Sequence, residues 1–405
     1  MHSRYLLIPT LAVMAGVGVA QAADDLQIHG FVSQGYFLTK NNALFTPQSE
    51  DNGTFQFDEV GLNVVATPVD RLRVGIQIAA QDLGDSFNNK PTIDWAYGNY
   101  NFGEVLSHVD LNVTAGRLKM GHGLYNDYRD LDMTRSTVFL PMSVYNPRWR
   151  DFMLACNGFA LNTHIKAGAL GEFGVMGWIG NNSLDAKEGA LHDTFIDAGI
   201  DGQTMGVQSV QGGNIDWTTP LDGLRLKYSL FNAAQFELVG THVGPGGPGD
   251  FVPGSTQTFS MPNYWDNIFS VEYTWKDLTV AAEYQYNYLR STIAGDFDTG
   301  FGVVPISSTS VSTTDATYIS AAYRVFPKWE VVGGWQWSQA ENSLTGKSKW
   351  YAWNAAVRYD VKEHWLIKAE YQWTHGTGLL RAAEQPDGTL EETWGYFALK
   401  TTFDF

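Results

Sequence analysis

The chain has 405 residues, 44% of them hydrophobic, yet its mean hydropathy is −0.19, so apolar and polar residues are interleaved and a bundle of membrane-spanning helices is excluded. The 26 Lys and Arg stand against 43 Asp and Glu, and the resulting net charge of −17 argues against a nucleic-acid partner. A single cysteine, Cys156, excludes an intrachain disulfide framework.

The first element is a secretory signal over residues 1–22. His2 and Arg4 give a basic start, Leu6 to Val19 form an apolar run, and Ala20-Gln21-Ala22 supplies the small-x-small cleavage pattern. The rest, 23–405, reads as one domain built of strands.

Sixteen strands are predicted. The first five lie near 27–38, 54–67, 71–82, 92–102 and 108–118. The next six lie near 152–165, 171–179, 205–218, 223–239, 265–276 and 278–290. The last five lie near 314–326, 329–338, 348–360, 365–374 and 392–405. Period-2 alternation carries the assignment. In 365–374, for example, Trp365, Ile367, Ala369, Tyr371 and Trp373 share one face, and Leu366, Lys368, Glu370, Gln372 and Thr374 the other. Because 152–165 and 205–218 alternate poorly, counts of fourteen or eighteen stay open. Short turns such as Pro68-Val69-Asp70 and Lys276-Asp277 alternate with longer connections, the asymmetry of a transmembrane barrel with short inner turns and long outer loops. The polar faces carry charges and are expected to line water.

The third long connection stands apart. Residues 116–151 read GRLKMGHGLYNDYRDLDMTRSTVFLPMSVYNPRWRD and hold six basic residues against four acidic ones, a local inversion of sign in an acidic chain. Opposed charges across a narrow wet passage sort solutes by dipole and charge, and arginine's planar fork suits carboxylate or phosphate. Lys119, Arg129, Asp130, Asp132, Arg135, Arg148 and Arg150 are therefore the candidate constriction residues, with a mild preference for small anions or polar zwitterions. The competing reading is structural: Arg129, Asp130, Asp132 and Arg135 pin the loop to the wall by salt bridges. By parity Arg71, Arg73, Arg225, Lys227, Arg324, Arg358 and Glu283 are candidate pore-wall residues. His122, between two glycines of this connection, is the one histidine that invites inspection.

The architecture resembles that of the sixteen-stranded Gram-negative outer-membrane porins, whose third loop folds inward and narrows the pore. The run from Gly116 to Tyr145, a G-R-x-K element leading to G-L-Y-N and R-D, more specifically resembles phosphate-selective-porin-like and related uncharacterised porins. The resemblance implies an all-β, antiparallel transmembrane barrel with an inward-folded third loop. It also implies passive diffusion of small hydrophilic solutes and a homotrimer. The phosphate preference is not carried over, because Lys119 is the only lysine of the segment.

Further along, the stretches 240–254 and 307–314 read as surface loops. The chain ends in a strand whose Gly395, Phe397, Leu399, Thr401, Phe403 and Phe405 share one face, resembling the signal that outer-membrane insertion machinery reads. The expected partners are therefore outer-membrane lipid and lipopolysaccharide, that machinery, and permeating solutes. No cofactor is implied. An outer-membrane lipase or protease is the first alternative, but no G-x-S-x-G or H-E-x-x-H element and no metal-spaced histidine set occurs. A non-conducting adhesive or structural barrel is the second.

Overall fold

A computed structural model describes residues 26–50, 52–84 and 89–405. The signal over 1–22 lies outside them. The first eight strands are β1 Gln27–Lys40, β2 Phe57–Val69, β3 Leu72–Leu83, β4 Thr92–Leu106, β5 Val109–Lys119, β6 Ala155–Lys166, β7 Glu172–Leu184 and β8 Ile200–Thr218. The other eight are β9 Leu224–His242, β10 Thr256–Trp275, β11 Leu278–Asp298, β12 Val303–Phe326, β13 Trp329–Asn342, β14 Gly346–Lys362, β15 Trp365–His375 and β16 Thr393–Asp404. Each pairs antiparallel with its sequence neighbours. β1 also pairs with β16, from Phe31 opposite Asp404 to Lys40 opposite Gly395, so the ring closes with no free edge. A two-residue ribbon, Asp250–Phe251, adds to β11 at the rim.

Alternation sets inside and outside. On β15, Lys368, Glu370, Gln372 and Thr374 are buried, while Trp365 and Tyr371 are exposed. On β16, Trp394, Tyr396, Ala398, Lys400 and Thr402 are buried, and Phe397, Leu399 and Phe403 are exposed. Ile76, Ile78, Phe159, Leu161, Phe269 and Val271 continue the exposed apolar surface around the ring. A closed barrel that buries polar side chains and exposes apolar ones is built for a lipid surround, because the strands satisfy one another's amides and the outer face costs nothing in hydrocarbon.

Two expectations need correction. Strands β10 and β12 begin at Thr256 and Val303, not near 265 and 314, so the Ser/Thr-rich stretch 307–314 is strand. Paired with β11, it forms hydroxyl contacts such as Ser291–Ser310 and Thr292–Thr309, both 2.9 Å, and β-branched Thr and Val fit a pleated surface. The outer connections at 299–302 and 343–345 are consequently short. The poor alternation of 205–218 has a cause in bulges. The ladders break at one level across β7 to β11: register shifts lie between Gly180 and Asn182 and between Ser260 and Asn263, Gln208, Gln235 and Pro262 are skipped between them, and Gln235 takes a left-handed φ of 58°. Inward positions therefore pass from Phe231 and Ala233 to Phe236 and Leu238.

The interior is not uniformly wet either. Phe152, Trp178, Phe195, Phe231, Phe236 and Met261 belong to one buried apolar cluster that fills the side lined by β6 to β10. The helix Ala190–Asp197, from the connection between β7 and β8, contributes Leu191 and Phe195 to it.

Candidate functional site

The connection between β5 and β6 spans residues 120–154, and its base is tied where the Met120 amide donates to the Leu154 carbonyl at 3.0 Å. From there its side chains and amides meet inward-facing groups on most of the ring. The Gly123 amide donates to Ser229 Oγ on β9 at 3.1 Å, and His122 Nε2 lies 3.0 Å from Asp266 Oδ2 on β10. Glu283 on β11 accepts from the Leu124 amide at 2.8 Å and from the Tyr145 hydroxyl at 2.5 Å. The same carboxylate takes Ser270 Oγ at 2.6 Å and the Tyr318 hydroxyl at 2.9 Å. The Ser143 amide donates to Gln336 on β13 at 2.9 Å, and the Val138 and Phe139 amides donate to Glu370 on β15 at 2.7 and 3.2 Å.

Charge fixes the same segment from the other side. Asp132 accepts from Lys368 Nζ on β15 at 3.0 Å and lies 3.5 Å from Lys400 Nζ on β16, while Thr402 donates to its second oxygen. All three ionic side chains are fully covered. Arg135 joins Asp132 at 2.9 Å. Burial alone would raise the Asp132 carboxyl, but Lys368, Lys400 and Arg135 outweigh it and hold it well below the usual carboxylate range. Asp130 is held low in the same way, with Arg150 and Lys119 each at 2.8 Å. Arg150 also reaches Asp94 on β4 at 3.0 Å.

Each candidate residue can now be placed. Lys119, Asp130, Asp132, Arg135 and Arg150 are mutually paired, and Arg148 makes a two-pronged contact with Glu384 in the connection between β15 and β16, at 2.7 and 2.8 Å. Among the described residues, Arg129 has no carboxylate within 4.0 Å; its hydrogen bond goes to Asn126 at 3.4 Å. Of the wall candidates, Arg225 pairs with Asp216, Arg324 with Glu330 at 3.0 Å and Asp360 at 2.8 Å, and Arg358 with Asp360 at 2.7 Å. Lys227 lies 3.6 Å from Asp127, and Arg73 borders a cavity of about 790 Å³ shared with Lys119 and Asp132. Arg71 departs from its parity: it sits in the turn before β3 with φ of 66° and donates to the Phe102 carbonyl at 3.2 Å. Asp94, Asp266 and Glu384 had no mark in the sequence beyond inward parity or loop position, because only ring closure brings them to the segment.

At the outer rim the ion pairs continue. Arg381, beside Glu384, pairs with Asp197 of the helix Ala190–Asp197 and donates to the Asp193 carbonyl at 2.9 Å. Three outer connections are thus bridged through Arg148, Glu384 and Arg381. Replacing Arg381 by Ala should cost about 2 kcal/mol of this local closure and speed limited proteolysis within 185–199 and 376–392. Unchanged cleavage rates would show the bridge to be decorative.

Cavities lie on both sides of the segment. One of about 270 Å³ opens toward the long-connection end and is bordered by His122, Asn126, Arg129 and Trp350. The one that Arg73 borders opens toward the turns, with His364 and Asp404.

No family model matches the chain, and no curated protein does. Solved structures match over nearly their whole lengths. OmpT, an outer membrane protein of Vibrio cholerae, aligns at a TM-score of 0.57 and 12% identity, covering 94% of this chain and 97% of that one. OmpF of Salmonella typhi, in complex with daunomycin, aligns at 0.56 and 12%, covering 96% and 99%. An anion-selective porin from Comamonas acidovorans aligns at 0.51 and 12%, covering 94% and 99%. The chain has the porin fold. At such low identity the likeness extends to the barrel and its strand count. The ion pairs above belong to this chain's own residues.

Proposed function

We propose that this protein is a passive diffusion channel of a bacterial outer membrane, passing small hydrophilic solutes through a constriction formed by residues 120–154. The observation that carries the reading is the segment's position between cavities that open to opposite ends of the barrel. The segment is held by pairs that neutralise most of its charge, so it narrows the lumen without a strong fixed field. Arg129, the constriction arginine that lacks a carboxylate partner among the described residues, tilts the passage toward small anions. The Comamonas porin named above is anion-selective, which supports the same tilt.

The reading includes export past the signal at 1–22, insertion through the strand ending at Phe405, outer-leaflet lipopolysaccharide around the barrel and assembly as a homotrimer. A hydrolase reading would need a nucleophile on a general base. His122 is the buried histidine of the segment; its Nε2 faces Asp266 and its Nδ1 has no hydrogen-bond partner, so no nucleophile is poised there.

Planar-bilayer recording of the refolded mature chain tests the proposal. Steady conductance steps are expected, with a zero-current potential in a KCl gradient of the sign that chloride sets. Silence across many insertions would remove the channel, and a potential of the potassium sign would remove the anion preference alone.

A further inference from the structure

We propose that the outer cavity is a binding site for a small aromatic monocarboxylate, an inference that rests on the channel reading and adds a solute class to it. Arg135, Arg148 and Arg150 each have a carboxylate within 3.0 Å, whereas Arg129 has none within 4.0 Å among the described residues. Arg129 is only 9% exposed. A guanidinium so covered is costly without an anion, and its free donors border the cavity. The planar fork pairs with a carboxylate through two parallel hydrogen bonds.

The rest of the cavity is suited to a ring. Trp149, Phe152 and Tyr264 form a chain of edge-to-face contacts, with centroids 6.0 Å apart for the first pair and 5.5 Å for the second. Trp149 is 38% exposed and borders the cavity. Met153 and Leu289 extend this side with soft, adaptable hydrocarbon. Asn287, two residues before Leu289 on β11, and Thr314, paired with it on β12, supply polar contacts for a substituent. Deeper in, His122 presents a buried Nδ1 with no partner, a second polar atom that the protein leaves unanswered. The volume, about 270 Å³, falls just short of the roughly 300–1,000 Å³ that holds a drug-sized ligand and admits one ring.

Single-channel currents with benzoate added from the long-loop side are the test. Brief, concentration-dependent closures are expected, with acetate, gluconate and benzyl alcohol each about tenfold weaker or more. Arg129→Gln should weaken the benzoate block roughly thirtyfold. Trp149→Ala should weaken benzoate while leaving the acetate response alone, which separates ring recognition from any loss of fold. Gluconate matching benzoate, or benzyl alcohol matching it, would overturn the assignment. Binding is read separately by saturation-transfer NMR on the protein in detergent micelles. Absent conductance with benzoate bound would remove the channel and keep the site; conductance with no benzoate signal would remove the site and keep the channel.

Discussion

Asp132→Asn is expected to lower barrel stability by about 3–5 kcal/mol, the usual consequence of removing one member of a buried ionic cluster. The side chains of Asp132, Lys368 and Lys400 are fully covered, and Asp132 lies 3.0 Å from one ammonium and 3.5 Å from the other. With an amide in its place, Lys368 has no carboxylate partner and leans on neutral oxygens such as the Asp132 and Thr137 carbonyls, at 2.6 and 3.1 Å. Lys400 keeps Glu59 at 2.5 Å, so Lys368 and Arg135 are the cations left without their carboxylate. The temperature at which the folded band converts to the unfolded band on a detergent gel should fall, and open-channel current should become noisier as the 130s loosen. Adding Lys368→Met to the variant should recover part of the loss, because an apolar group of similar reach removes one of the two cations left without a carboxylate. A conversion temperature equal to that of the parent would mean that the cluster contributes nothing.

Glu283→Gln should have the second largest effect. Glu283 is 2% exposed and has no cation within 4.0 Å among the described residues; its charge is answered by the Leu124 amide and by the hydroxyls of Tyr145, Ser270 and Tyr318. A carboxylate accepts at both oxygens, but an amide must turn its NH2 toward donors that already point inward. The predicted cost is about 2–3 kcal/mol, from charge-assisted bonds lost and a donor left facing a donor. Whichever way the amide turns, either Leu124 or Tyr145 loses its acceptor, so the arc between them should exchange its amides faster. Hydrogen exchange at residues 124–145 checks this, and protection equal to the parent's would sink it.

Much of this architecture is legible in the order of residues, and the exceptions have physical causes. Strand β15 reads directly, since each of its residues alternates between lipid and interior with no interruption. Strands β7 to β11 do not, because the ladders are interrupted at one level, where Gln208, Gln235 and Pro262 are skipped, and period 2 breaks at Gln235. The extension of β12 to Val303 was hidden because Ser and Thr are as common in loops as in strands that hydrogen-bond across a pair. The segment 116–151 stood out through its charge, which is a local property. Its partners Asp94, Asp266, Glu283 and Glu384 are non-local, and alternation alone could say only that the first three face inward. The covered state of Lys368 and Lys400 departs from the expectation that their polar face lines water: that face meets Asp132, and Lys400 also meets Glu59.

The docking of Asp132 has a consequence for biogenesis. Two of its cations and its hydroxyl donor come from β15 and β16, and β16 is also the strand that zips onto β1. Until those strands are in place the ammonium contacts of Asp132 are missing, although Arg358 on β14 already reaches the Met133 and Arg135 carbonyls at 2.8 and 3.2 Å. Closure of the ring and full docking of Asp132 are therefore coupled, so a half-assembled intermediate is expected to differ from the finished product by a more protease-accessible loop as well as by an open seam.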